Sequence, residues 1–112
     1  MRALASAITL FLLTSPAFAA SPQVEAAVNV FQAVGADPNR LKTFCELMEI
    51  EEEMREKDGP ALNTRMDTLL DQLGADFKVA WNTAEGVDDN SPDGKVVHAA
   101  LDRLEDKCPH RT

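Results

Sequence analysis

Residues 20–112 are predicted to fold as an all-α domain, a compact arrangement of four helices, and three features of the sequence predict it. Proline follows a capping-type residue four times, at Ser21-Pro22, Asp37-Pro38, Gly59-Pro60 and Ser91-Pro92. This is the N-cap then N1 arrangement, where the missing proline N–H costs nothing. Between these starts the apolar residues recur at steps of three and four, the period of a helix with one buried face. No alternating run of β-branched residues exceeds a few positions, so strand signals are weak.

The elements follow in order. In the first, Val24, Ala27, Val28, Phe31 and Val34 form one stripe. In the second, Leu41, Phe44, Cys45 and Met48 do the same, and Leu47, Ile50 and Met54 continue it on a rotated face. In the third, Leu62, Met66, Leu69, Leu73, Phe77, Ala80 and Ala84 keep helical phase through Gly74. Residues 60–85 therefore read as one long helix bent at Gly74, a position costing about 1 kcal/mol relative to alanine. The alternative is a break there, with Asp76 capping a separate short helix. In the fourth, Val97, Ala100, Leu101, Leu104 and Cys108 line up. Gly35, Gly59 and Gly86 fall where the helices should stop.

Residues 1–19 read as a cleavable export signal and not as part of the domain. Arg2 supplies a minimal positive region, Ala7–Leu13 a short apolar core, and Ala17-Phe18-Ala19 an A-x-A cleavage site. A bilayer span needs about 20 apolar residues, and this stretch is shorter. The expected organisation is a signal peptide over 1–19 and a helical domain over 20–112, periplasmic or secreted, without stable membrane insertion after cleavage.

All 19 acidic residues, and every Lys and Arg except Arg2, lie beyond the leader. The domain is thus one unit more negative than the whole chain's −8. Such a surface repels nucleic acid and anionic lipid and favours cations or a basic partner. In an oxidising compartment the two cysteines, Cys45 and Cys108, suggest one disulfide. Both belong to apolar stripes, so both should face the core, as a bridge between the second and last helices requires. There is no C-x-x-C and no C-x-x-C-H, so a thioredoxin-like motif and covalent haem attachment are absent.

The strongest local chemical feature is an acidic stripe. Glu46, Glu49, Glu53 and Glu56 share one face of the second helix, with Glu51 and Glu52 adding charge. Neighbouring carboxylates can collect hard cations through oxygen ligands. The competing reading is a solvated face opposite the core stripe. Around Gly94, Asp89, Ser91 and Asp93 suggest a calcium loop, but its twelfth position is Ala100 where a bidentate Glu is needed. That loop reads instead as an acidic turn capping the last helix. His98 and His110 have no partner at a recognisable motif spacing, and Ser21 and Ser91 read as caps. Met48, Met54 and Met66 read as core fillers, and Trp81 as a core anchor. No cofactor motif is found, and none is expected to bind.

The segment V-G-A-D-P-N-R-L-K-T-F-C at residues 34–45, with the terminal Cys108, resembles small uncharacterised exported all-helical proteins of bacteria that carry two distant cysteines. The resemblance implies the leader and the helical domain, and it brings no activity or functional residues with it. The expected function is that of a non-enzymatic interaction or binding module with a protein partner. The alternative is a low-affinity cation-binding protein using the Glu46–Glu56 face.

Overall fold

A computed structural model describes residues 20–57 and 59–109. The export-signal reading of residues 1–19 and the reading of His110 lie outside the described residues. Five helices make up the described chain: α1 (Pro22–Ala36), α2 (Pro38–Glu56), α3 (Pro60–Leu73), α4 (Ala75–Gly86) and α5 (Pro92–Glu105). No strand occurs among the described residues.

All four predicted proline starts are helix starts. Ser21 Oγ accepts the Val24 N–H at 3.3 Å, and Ser91 Oγ accepts the Gly94 N–H at 2.9 Å. Asp37 accepts the N–H groups of Asn39 and Arg40 with one carboxylate oxygen, at 3.0 and 3.3 Å. Asp37 is also the residue that closes α1, its N–H donating to Val34 O, so one residue forms the whole joint between α1 and α2. The predicted glycine stops are only approximate. Gly35 and Gly86 lie inside the last turns of α1 and α4, and Gly59 precedes α3 as its N-cap.

The number of helices corrects the four-helix expectation. The chain breaks at Gly74, which adopts φ +109° and ψ 165°, a backbone region that essentially only glycine enters. The apolar phase crosses the break because α3 and α4 pack against each other and present Leu69, Leu73, Phe77, Ala80 and Ala84 to one core. Asp76 does not cap α4 from the N-cap position, which Gly74 occupies, but from within its first turn. There its Oδ1 accepts the Phe77 N–H at 2.8 Å.

Arg40 holds this joint from outside. Its Nη2 donates to the Leu73 carbonyl at 2.8 Å and to both Asp76 oxygens at 3.1 and 3.3 Å. One guanidinium thus satisfies a carbonyl left free at the end of α3 and neutralises a carboxylate at the start of α4. The Lys78–Asp71 ion pair crosses the same joint.

α1 sits at the centre and packs against α4, α5 and α2, while α3 spans α2 and α4. Phe77 is the focus of the core. Its ring meets Phe31 and Phe44 edge-on, at centroid distances of 5.8 and 6.0 Å, and stacks on Trp81 at 5.7 Å. Trp81 is buried, as a core anchor should be. At the start of α5, a Cβ on Gly94 would stand 2.0 Å from the Asp88 carbonyl oxygen, so only glycine lets the 88–91 turn close onto that helix. No helix among the described residues is long and apolar enough to cross a membrane.

Candidate functional site

The second apolar stripe of the sequence divides in two. Phe44, Leu47 and Ile50 are buried in the core, whereas Leu41, Cys45 and Met48 are half-buried on its edge. They pack against the core from its edge and keep part of their surface open, where α2 and α5 are not closely packed against each other. What joins them is the cysteine pair. Cys45 and Cys108 have their sulfurs 2.04 Å apart, at bonding distance, with Cα atoms 5.5 Å apart. Cys108 does not belong to the last helix, as its stripe suggested. α5 ends at Glu105, and Cys108 follows in a turn whose N–H groups at Lys107 and Cys108 donate to Leu104 O and Glu105 O.

Between α2 and this turn runs an open groove of about 900 Å³. Leu41, Cys45 and Met48, at successive helical steps, give it an apolar floor with Cys108, and the exposed Pro38 and Pro109 line it as well. Glu46, Glu49 and Glu52 from α2 and Glu105 from α5 line it with carboxylates, the first two half-buried and the last two exposed. Two lysines, Lys42 and Lys107, also line it. They belong to the end nearest the α1–α2 joint, since the Lys107 stem lies 3.1 Å from where a Cβ on Gly35 would be.

Burial pushes the Glu105 carboxyl above its ordinary value of 4.5, helped by the charges of Asp102 and Glu51 and opposed by Arg55. Glu51 is raised in the same way, first by burial and then by Glu85, against the attraction of Arg55 at 3.9 Å. Glu51, Glu85 and Glu105 border a smaller notch of about 150 Å³ walled by Trp81, Ala84, His98 and Leu101. His98 Nε2 stands 3.0 Å from Asp89 Oδ1 across the turn before α5.

Of the four carboxylates of the acidic stripe, Glu46 and Glu49 reach the groove, whereas Glu53 and Glu56 are exposed beyond it. Glu46 pairs with Arg65 of α3 at 3.5 Å. Among the described residues no three His, Cys, Asp or Glu side chains stand close enough to hold one metal ion. The 88–94 loop is a capping turn: Asp88 Oδ1 accepts the Asn90 N–H at 3.0 Å, and Asp88 O accepts the Ser91 hydroxyl at 2.6 Å. The sequence reading missed Arg40, Glu105 and the groove itself. Arg40 acts across 33 residues on a carbonyl, which leaves no pattern in a sequence. A half-apolar edge at Leu41, Cys45 and Met48 was visible as a stripe, but its exposure was not.

Comparison with protein-family models, with curated proteins and with solved structures finds no match for the chain.

Proposed function

We propose that this chain is an exported, non-enzymatic interaction module whose binding face is the groove between α2 and the C-terminal turn. The observation that carries the reading is the combination of an apolar floor and a polar rim in an open concavity. Apolar surface held open beside a well-packed core is surface available to a partner. The A-x-A leader supports export, and a cysteine pair at bonding distance suits a compartment where disulfides persist. Cation binding by Glu46, Glu49, Glu53 and Glu56 has less support, because Glu46 is engaged by Arg65 and the four do not converge on one point.

The test compares capture by the tagged native protein and by a Leu41→Asp, Met48→Asp variant from the same extract, with helicity checked by circular dichroism. Both side chains are half-buried against the core, so a milder Leu41→Ser, Met48→Ser variant is run beside it and capture is compared only for variants that keep native helicity. A discrete partner held by the native protein and lost by the variant supports the reading. Equal capture by both overturns it.

A further inference from the structure

We propose that the occupant of the groove is a cationic amphipathic helix presented by a partner protein. The inference rests on the groove being the binding face and adds what fills it. Leu41, Cys45, Met48 and Glu52 follow one another along α2 at steps of four, three and four, a stripe that spans about 16 Å at 1.5 Å per residue. A second helix lying alongside would meet it with three turns, placing apolar residues at i, i+3 or i+4, and i+7 onto Leu41, the cysteine bridge and Met48. The groove is open to solvent and its apolar residues follow the axis of α2, which suits an elongated element better than a compact small molecule.

Charge selects the kind of helix. Four carboxylates and two lysines line the groove. The lysines belong to the end near the α1–α2 joint, and Glu46 is already paired with Arg65, so the carboxylates offered to a partner include the exposed Glu52 of α2 and Glu105 of α5. Lys or Arg residues flanking the apolar face of a docked helix would reach these carboxylates, and their long stems would cover the apolar edge as well. An anionic lipid surface or a nucleic acid would meet the same carboxylates as repulsion.

The experiment uses the exported protein and a fluorescein-labelled 14-residue helix with leucines at heptad positions a and d and lysines elsewhere, read by anisotropy. A Leu/Glu helix of the same pattern is the control. The Leu/Lys helix should bind and the Leu/Glu helix should not. Leu41→Ser with Met48→Ser should weaken binding about tenfold or more, the effect of losing roughly one apolar contact's worth of free energy. Glu52→Gln with Glu105→Gln should weaken it several-fold, and the difference should shrink in 0.5 M salt. Undiminished binding by the Leu41, Met48 variant, equal binding of both helices, or binding to anionic vesicles and not to the Leu/Lys helix would each overturn the proposal. If the native partner still requires Leu41 and Met48 while the Leu/Lys helix fails to bind, this inference falls and the binding-face reading stands. If neither binds through the groove, both fall.

Discussion

Replacing Cys45 and Cys108 by serine removes the covalent tie between α2 and the turn after α5. The bridge closes a loop over a sequence separation of 63 residues. The chain-entropy relation for a loop of that length gives about 4 kcal/mol at 25 °C through restriction of the unfolded chain. A small domain is typically stable by about 5–15 kcal/mol in all, so the loss is a large share. On the folded side the cost is concentrated locally, because α2 and α5 are not among the closely packed helix pairs. At about 4–8 °C per kcal/mol for a domain of this size, the melting temperature should fall by roughly 15–30 °C. The assay is thermal and urea unfolding followed at 222 nm, with the oxidised protein, the reduced protein and the variants compared. Each single Cys→Ser variant should lose nearly as much as the double, since either breaks the same bond. Two thiols that react with maleimide in the denatured, unreduced protein would refute the argument. So would a double variant that unfolds within about 1 kcal/mol of the native protein.

Three further outcomes are expected. Gly74→Ala should destabilise by about 1–3 kcal/mol, because alanine must adopt φ +109° and its Cβ would stand 3.0 Å from Asp76 Oδ1; urea titration checks this. Arg40→Ala should cost about 1.5–3 kcal/mol through the freed Leu73 carbonyl and the unpaired Asp76, and Arg40→Lys should recover only part of it, since the lysine side chain ends one bond short of the Nη2 that makes all three contacts. Stability should rise as the pH is lowered from neutral. Glu51 and Glu105 have folded-state values above 4.5, so the folded state holds more protons than the unfolded one between 4.5 and those values. Their contribution is fully present below 4.5 and is lost as the pH climbs through the raised values. Glu51→Gln with Glu105→Gln should raise the melting temperature at pH 7 and flatten its dependence on pH. An unchanged slope in the double variant would contradict that account.

How much of this was legible in advance follows from the range of each interaction. Helix starts are written in adjacent residues, a cap and a proline, and Pro22, Pro38, Pro60 and Pro92 all open helices where the sequence places them. Core faces are written in local periodicity, and Val24, Ala27, Phe31, Val34, Val97, Ala100 and Leu104 are buried as their spacing requires. The break at Gly74 was ambiguous because phase records which face is buried and not whether the backbone is continuous. Both a bent helix and two helices folded against one core keep Leu73 and Phe77 in step. The break is made at Gly74 itself, by a backbone that only glycine adopts, and it is held from elsewhere in the chain by Arg40, whose guanidinium takes the Leu73 carbonyl and Asp76. The acidic stripe on α2 was visible as a pattern. Its division between a groove rim and open solvent depends on where Cys108 and Glu105 arrive, and only the packed fold fixes that.

The central claim, that the partner face is the groove floored by Leu41, Cys45 and Met48, is tested most directly by amide chemical-shift mapping with the Leu/Lys helix. Titration should move the amides of Leu41, Cys45, Met48, Glu52, Lys107 and Cys108 together, with one saturation curve. A second surface offers a comparison, because Val79, beside α1 residues on α4 and outside the groove, is 65 % exposed and also apolar. Shifts centred on Val79, or spread evenly over the acidic surface without saturating, would contradict the claim.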